Sequence, residues 1–219
     1  MEDRKLTLKR KRIMIYFVEA AKQLIQSEGV GGLTIRKVAS EAGYNSATIY
    51  NYFENLEHLT LFASVCYMRD YVLLLGKSFR EDMTALERYR TIYHCFNEFA
   101  FQYPEIFHNM FYGKYSHMLG NVLRTYYYEL FPEELEGISE PLQNMLVGGS
   151  MKERDSITMK DMVAEGSVAA DKAEMTLELI TAVHQKFIYE ASVHGDRINV
   201  EEHKRKFNDI FEYILMTAK

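Results

Sequence analysis

The chain has 219 residues, 47% hydrophobic and 26% charged, which suits one large domain or two small ones and excludes disordered and fibrous chains. Three prolines and twelve glycines leave long stretches without breakers, so the 16 tyrosines, 13 phenylalanines and 12 methionines predict helices around a bulky core. We find no apolar run near the roughly 18 residues of a membrane span and no signal-type apolar segment, so we expect a cytoplasmic protein without a membrane partner.

The charge is distributed unevenly along the chain. Residues 1–53 contain nine basic and five acidic side chains, a net charge of +4, whereas the whole chain carries −5 and the remainder therefore −9. A basic head on an acidic body predicts that a polyanion would contact the head only. An exposed, solvated tail would have the same charges, and charge alone leaves both interpretations open.

The N-terminal third is predicted to form three helices. Apolar residues spaced as Ile13, Phe17 and Leu24 predict an amphipathic helix that ends at Gly29. A second, short helix is capped by Thr34 and reaches about residue 42. The third begins at residue 45 or 46 and ends near residue 53.

The rest of the chain is also predicted to be helical, with an irregular loop over residues 132–154. The final two helices are long, and the first of them is apolar on more than one side, so it must be buried on more than one side. The predicted segments are 55–77, 84–103, 104–112, 116–130, a short helix at 142–147 inside the loop, 157–164, 171–194 and 200–217.

Residues 33–59 form the most informative segment, because two short helices flank a turn that contains Gly43. Small or apolar residues at fixed spacing suit the packing of a helix-turn-helix. The second helix is short and polar on its outer face, as a helix that enters the roughly 12 Å major groove would be. On spacing alone, the same segment could be a plain helical corner.

This segment resembles the TetR family of one-component transcriptional regulators. The resemblance is specific over about residues 10–60 and only architectural beyond them. It implies an all-α fold with a three-helix helix-turn-helix DNA-binding domain at 1–55 and a larger helical effector-binding and dimerisation domain at 56–219. The matching residues are the glycine-rich turn before Thr34, then Val38, Ala39, Ala42, Gly43, Thr48, Ile49, Tyr50, Asn51, Tyr52, Phe53, Glu57 and Leu59.

The resemblance implies a set of residues that contact double-stranded DNA. Asn51 can bond an adenine bidentately, the Ala47 methyl can touch a thymine methyl, and two tyrosines match phosphate-contacting aromatics of the family. The complete set is Thr34, Arg36, Asn45, Ser46, Ala47, Thr48, Tyr50, Asn51 and Tyr52.

The sequence departs from the family pattern at three positions of this segment. Many members have lysine where Ser46 and Leu56 stand, and glycine where Ala47 stands. Losing two cations should weaken the electrostatic part of DNA binding and flatten its salt dependence. We expect the basic run from Lys9 to Arg12 to compensate along the DNA backbone.

The resemblance further implies a homodimer that acts as a repressor, binds a palindromic operator and is released by a small apolar or aromatic effector. Core packing is the alternative role for every aromatic residue of the pocket, and packing within one subunit is the alternative for the last two helices. The predicted pocket residues are Phe62, Cys66, Tyr93, Phe96, Phe107, Phe111, Tyr115 and Tyr126. The predicted dimer residues are Leu179, Val183, Phe187, Phe207, Phe211 and Ile214.

Motifs of catalysis and metal binding are missing from the sequence. The seven histidines show no HExxH spacing, and no GxSxG, phosphate-loop or dinucleotide fingerprint occurs. Cys66 and Cys95 lack a metal-binding spacing and suit reduced core thiols. We therefore predict no enzyme activity, no cofactor and no metal. A helical interaction module that has lost specific DNA binding stays open as the alternative, because of Ser46 and Leu56.

Overall fold

The computed structural model describes residues 6–138, 140–148 and 151–219, and every regular element within these ranges is helical. The predicted all-α fold is therefore confirmed. Its α-helices are α1 (Leu8–Glu28), α2 (Ile35–Glu41), α3 (Ser46–Ile49), α4 (Leu56–Ser64), α5 (Tyr67–Ser78), α6 (Ala85–Gln102), α7 (Pro104–Tyr112), α8 (Leu119–Arg124), α9 (Glu140–Leu146), α10 (Met151–Ala164), α11 (Ala173–His194) and α12 (Val200–Thr217).

The single long helix predicted at residues 55–77 is two helices, α4 and α5. The hydroxyls of Thr60 and Ser64 bond back to carbonyls four residues earlier, at 2.8 Å in both cases. Just beyond them, the amides of Val65 and Met68 bond carbonyls three residues back instead of four. Hydroxyl back-bonding of this kind bends helices, and the tighter turn separates α4 from α5. By length and composition alone, the segment from Leu56 to Ser78 could cross a membrane, but 61% of its most apolar window is buried inside the protein.

Within the loop predicted over residues 132–154, the short helix predicted at 142–147 is α9, but the last residues of the predicted loop are helical. Pro141 stands at the second residue of α9, where a proline costs little because its missing N–H would lack a helical partner anyway. Helix α10 begins at Met151, six residues earlier than predicted. The predicted helix at 116–130 is α8 between a 3-10 turn (Ser116–Met118) and a π-helical segment (Thr125–Leu130).

The three N-terminal helices pack around Phe17 of α1. This fully buried ring lies 5.2 Å from the ring of Tyr44 and 6.3 Å from the ring of Phe53, measured between centroids. Val38 from α2 and Ile49 from α3 are also fully buried. Helix α3 is thus held by the apolar residues on its inner side, and its outer side faces solvent.

Helix α6 lies at the centre of the remaining helices. It contacts α5, α7, α10, α11 and α12. Its side chains Tyr89, Tyr93 and Phe96 are almost entirely buried, and Tyr93 stacks on Phe207 and Phe211 from α12. These aromatic side chains of α6 therefore form the core of this part of the molecule.

The turn between α2 and α3 depends on one glycine. Gly43 has a φ of 76°, and the amide of Tyr44 donates to the Ala39 carbonyl at 2.8 Å while that of Gly43 donates to Ser40 at 3.2 Å. This pair of bonds is a Schellman motif, which ends α2 and sets the direction of α3.

Replacing Gly43 with alanine should lower the free energy of unfolding by about 1 kcal/mol, because a side chain is strained at this φ although nothing crowds it. Gly31→Ala is the matched control, since its φ is not positive and its surroundings are open. Urea denaturation of both variants measures the difference. Equal stability of the two would contradict this role for the turn.

Candidate nucleic-acid interface and ligand cavity

The outer side of α3 and its following turn presents a compact polar face, the reading face, formed by Asn45, Ser46, Ala47, Thr48, Tyr50 and Asn51. Asn45 caps α3, because its Oδ1 accepts from the Thr48 amide and the Thr48 hydroxyl, each at 3.0 Å. Its side-chain NH₂ is left to meet a partner outside the helix. Tyr50 is 58% exposed, whereas the neighbouring Ile49 is fully buried. The fold thus brings the predicted base-reading residues together on one exposed surface.

The start of α2 lies beside this face with groups suited to phosphate. Thr34 caps α2 by accepting from the Lys37 amide at 3.2 Å, and its hydroxyl proton remains able to donate. Arg36 is exposed in the first turn of the same helix. Lys37 is directed away, because its ammonium pairs with Glu28 and bonds the Gly32 carbonyl.

The basic run of α1 has two different uses in the structure. The guanidinium of Arg10 lies over the ring of Tyr52, 4.9 Å from its centroid, next to the reading face. Lys11 instead forms an ion pair with Glu129 of the π-helical segment. Lys9 and Arg12 are exposed. Only part of the run is therefore free to lie along a DNA backbone.

A second ion pair attaches α1 to the larger part of the molecule. The ammonium of Lys22 contacts Glu134 Oε1 at 3.3 Å and the Tyr126 hydroxyl at 3.1 Å. That hydroxyl donates to the same carboxylate oxygen at 2.9 Å. Tyr126, predicted for the effector pocket, thus lies at the junction with α1.

A further contact joins the two parts of the molecule through α4. The side-chain amide of Asn55, which caps α4, donates to the hydroxyl of Tyr115, and His58 stacks on the same ring. Burial lowers the pKa of His58 and favours its neutral form in this contact. Phe62 packs on Phe53 and His58, so it also lies at this contact.

The predicted pocket residues do not surround one cavity. Phe107 and Phe111 pack on Phe96 as core, with centroids 5.2 and 5.1 Å away. Cys66 borders an open groove of about 1160 Å³ between α1, α5, α7 and the end of α11. Tyr93 is fully buried beneath α10 and α12.

A smaller and more apolar cavity of about 470 Å³ lies between α5, α6 and α10. Of the predicted pocket residues, it includes only Phe96. We call it the α10 cavity. Its lining consists of Tyr71, Phe79, Arg88, Ile92, Phe96, Asn144, Met151, Arg154, Asp155, Ile157, Thr158 and Asp161.

The α10 cavity contains a buried carboxylate that the sequence analysis missed. Asp155 is 3% exposed, and its Oδ2 accepts from the hydroxyls of Tyr89 at 3.3 Å and Tyr93 at 2.5 Å. Burial raises the pKa of Asp155 to about 7, although both phenols oppose the shift. The sequence signal that could have revealed Asp155 is its helical spacing from Met151, Met159 and Met162, which places it with them on the inner side of α10.

A second buried polar group lies close by on α11. His184 is fully buried, with Nδ1 2.8 Å from the Tyr112 hydroxyl and Nε2 2.9 Å from Asn97 Oδ1. Burial lowers its pKa to about 3, so it is neutral at physiological pH. Among the residues that the structure describes, no group of three or more potential ligands could hold a metal ion.

Four of the predicted dimer residues are buried within the chain itself. Phe187, Phe207 and Phe211 are at most 4% exposed, and Ile214 is 7% exposed. Leu179 remains 45% exposed, and Val183 is half-buried. Other large apolar side chains of α11 and α12 face solvent, namely Met175, Tyr189, Val193, Ile210, Tyr213 and Met216.

The comparisons with known proteins agree with this architecture. The family model of bacterial regulatory proteins, tetR family, matches residues 17–61. Thermus thermophilus FadR, a TetR-family transcriptional repressor solved with lauroyl-CoA, is 14% identical with a TM-score of 0.59, over 90% of this chain and 92% of that one. A Rhodococcus sp. RHA1 protein of unknown function is 16% identical with a TM-score of 0.56, over 100% of both chains. No curated protein matches. At these identities the two structures show a shared fold.

The ionisation of Asp155 should make stability depend on pH. The folded carboxyl, facing Tyr89 and Tyr93 from α6 and Arg154 from α10, has a pKa of about 7, above its usual value of 3.8. The folded state therefore holds an extra proton between these values, and its contribution to stability is lost as the pH rises through 7.

We therefore compare the unfolding free energies of the wild type and of Asp155→Asn. The wild-type value minus the variant value should decrease as the pH rises from 4 to 8, with a slope of up to about 1.4 kcal/mol per pH unit. Urea denaturation at successive pH values measures it. His184 is present in both proteins, so its contribution to the pH dependence cancels from the difference. A difference that does not change with pH would contradict the assignment.

Proposed function

We propose that this chain, a member of the tetR family by its residues 17–61, is a ligand-responsive transcriptional regulator, acting as a repressor in the cytoplasm. A homodimer binds a palindromic operator and is released by a small, largely apolar effector. The observation that carries the proposal is the reading face, a solvent-facing polar surface on a helix whose inner side is fixed by Ile49 and Phe53. We assign DNA binding to residues 1–55 and effector binding with dimerisation to residues 56–219.

The contacts with DNA divide into base recognition and phosphate binding. Asn51 offers the bidentate amide that suits adenine, and Ser46, Ala47 and Thr48 lie beside it within the width of a major groove. Asn45 reaches the groove edge with its free NH₂. The phosphate contacts come from Thr34, Arg36, Tyr50, Tyr52 and, through its stacking on Tyr52, Arg10.

Dimerisation supplies the second reading face. One short helix contacts too few bases for selectivity, and a two-fold dimer places two at half-sites about one helical turn apart. The exposed apolar side chains of α11 and α12, including Leu179 and Tyr213, support these helices as the dimer surface. Together with the partner's pair they would form a four-helix bundle.

The effector site that we propose is the α10 cavity. Its walls are mainly apolar, and its volume lies within the roughly 300–1,000 Å³ of ligand pockets. The similar fold of the FadR structure with lauroyl-CoA supports an apolar effector. A ligand acts by preferring one packing of these helices, which shifts the spacing of the two reading faces.

Replacing Asn51 with alanine should abolish the sequence-specific gel shift of operator DNA, at a cost of about 1–3 kcal/mol for each half-site. Asn121→Ala on α8, an equally exposed position outside the interface, is the matched control. Operator fragments come from selection of bound genomic DNA at several salt concentrations. If wild type, Asn51→Ala and Asn121→Ala bind specific and random DNA alike, the chain is an interaction module without specific DNA binding.

The basic run should give different salt dependences at two neighbouring positions. Arg10→Gln removes a phosphate-contacting cation, so log Kd against log salt should become shallower by about 1 per subunit. Lys11→Gln should leave that slope unchanged, because its ammonium is engaged with Glu129. Fluorescence anisotropy with operator DNA measures both slopes. Equal effects of the two variants on the slope would contradict these different roles of Arg10 and Lys11.

Introducing a carboxylate on the proposed dimer surface should produce monomers. Tyr213 is 64% exposed on α12, and Tyr213→Glu would place a charge in an apolar interface. Tyr128→Glu, at a tyrosine that is 46% exposed away from α11 and α12, should remain dimeric. Sedimentation velocity distinguishes these states, and a dimeric Tyr213→Glu protein would exclude this surface.

A further inference from the structure

The α10 cavity combines apolar walls with one buried carboxylate, that of Asp155. Tyr71, Phe96 and Met151 are buried side chains of its walls, and Ile92 adds a further apolar wall. Asp155 is as deeply buried as they are, although it carries an ionisable group. A carboxylate in such surroundings is costly unless a partner compensates its charge.

Each basic residue that lines the cavity also binds groups other than Asp155. The guanidinium of Arg88 lies 3.7 Å from Asp161 and 3.6 Å from Glu165. The guanidinium of Arg154 donates to the carbonyls of Leu146 at 2.7 Å and Gly148 at 3.0 Å.

Within the described part of the chain, Asp155 forms no ion pair, and its hydrogen-bond donors are the two phenols. These neutral donors orient the carboxylate, and the electrostatic attraction of the neighbouring Arg154 guanidinium is smaller than the opposing effect of burial, so the negative charge is compensated only in part. The cavity can therefore gain most from a ligand that brings a positive charge to this point.

We propose that the effector of the α10 cavity is a small apolar or aromatic amine, whose ammonium group binds the Asp155 carboxylate. This inference rests on the proposed function and names the ligand class of the same site. The hydrocarbon part of the amine occupies the space between Phe96 and Met151. A ligand that ends in a carboxylate would instead be repelled by Asp155 and would need Arg154 as its anchor.

Three probes with one hydrocarbon body test the inference by calorimetry on the full-length protein. They are 4-phenylbutylamine, 4-phenylbutan-1-ol and 4-phenylbutanoate. At pH 8 the amine should bind about tenfold or more tightly than the alcohol, because it alone brings a positive charge to the Asp155 carboxylate, and the acid should bind most weakly. Equal affinity of amine and alcohol, tightest binding of the acid, or no binding of any probe would overturn the inference without any variant.

Asp155→Asn should reduce the affinity for the amine to that for the alcohol and leave the alcohol's affinity unchanged. Asp161→Asn, at an exposed carboxylate that lines the same cavity, is the matched control and should keep the preference for the amine. Retention of the preference in Asp155→Asn would overturn the inference. Operator binding without probe is measured in parallel. Its loss would contradict the proposed function, whereas intact operator binding without a preference for the amine would contradict this inference alone.

Discussion

The buried ring of Phe17 is the contact on which the rest of the N-terminal structure depends. It lies against Tyr44 before α3 and against Tyr52 and Phe53 after it, so both ends of the reading face are fixed to α1. The stability of this small unit comes from apolar burial, which leaves its polar outer side free. A face held from behind in this way keeps its geometry when DNA is absent, which lowers the entropy cost of binding.

Helix α1 also connects this face to the remaining helices. The ion pairs of Lys11 with Glu129 and of Lys22 with Glu134 lie near its two ends, and Asn55 with Tyr115 forms a third contact through α4. All three contacts lie at the junction and none in the α10 cavity. In the proposed mechanism, a ligand between α5, α6 and α10 shifts these helices, and the junction transmits the shift to α1.

The local structure of the N-terminal third could be predicted because it depends on short-range chemistry. Thr34 and Asn45 cap helices as their side chains suggest, and Gly43 adopts the positive φ that its place after α2 requires. The proposed effector site could not be predicted in this way. Whether an aromatic ring such as Phe107 faces a cavity or the core depends on how distant helices meet, and the polar Asp155 on an inner face was the one local signal. For the same reason Phe187 and Phe207 were predicted on the dimer surface, although they pack within the subunit.

The central claim is that the reading face binds a specific duplex sequence in two symmetric copies. Selection of genomic fragments by the purified full-length protein, followed by sequencing and footprinting, tests it most directly. We predict enrichment of an inverted repeat whose half-sites lie about one helical turn, or a multiple of it, apart, with protection of both halves. Recovery of fragments without a shared inverted repeat, or no retention of DNA even at low salt, would contradict the claim.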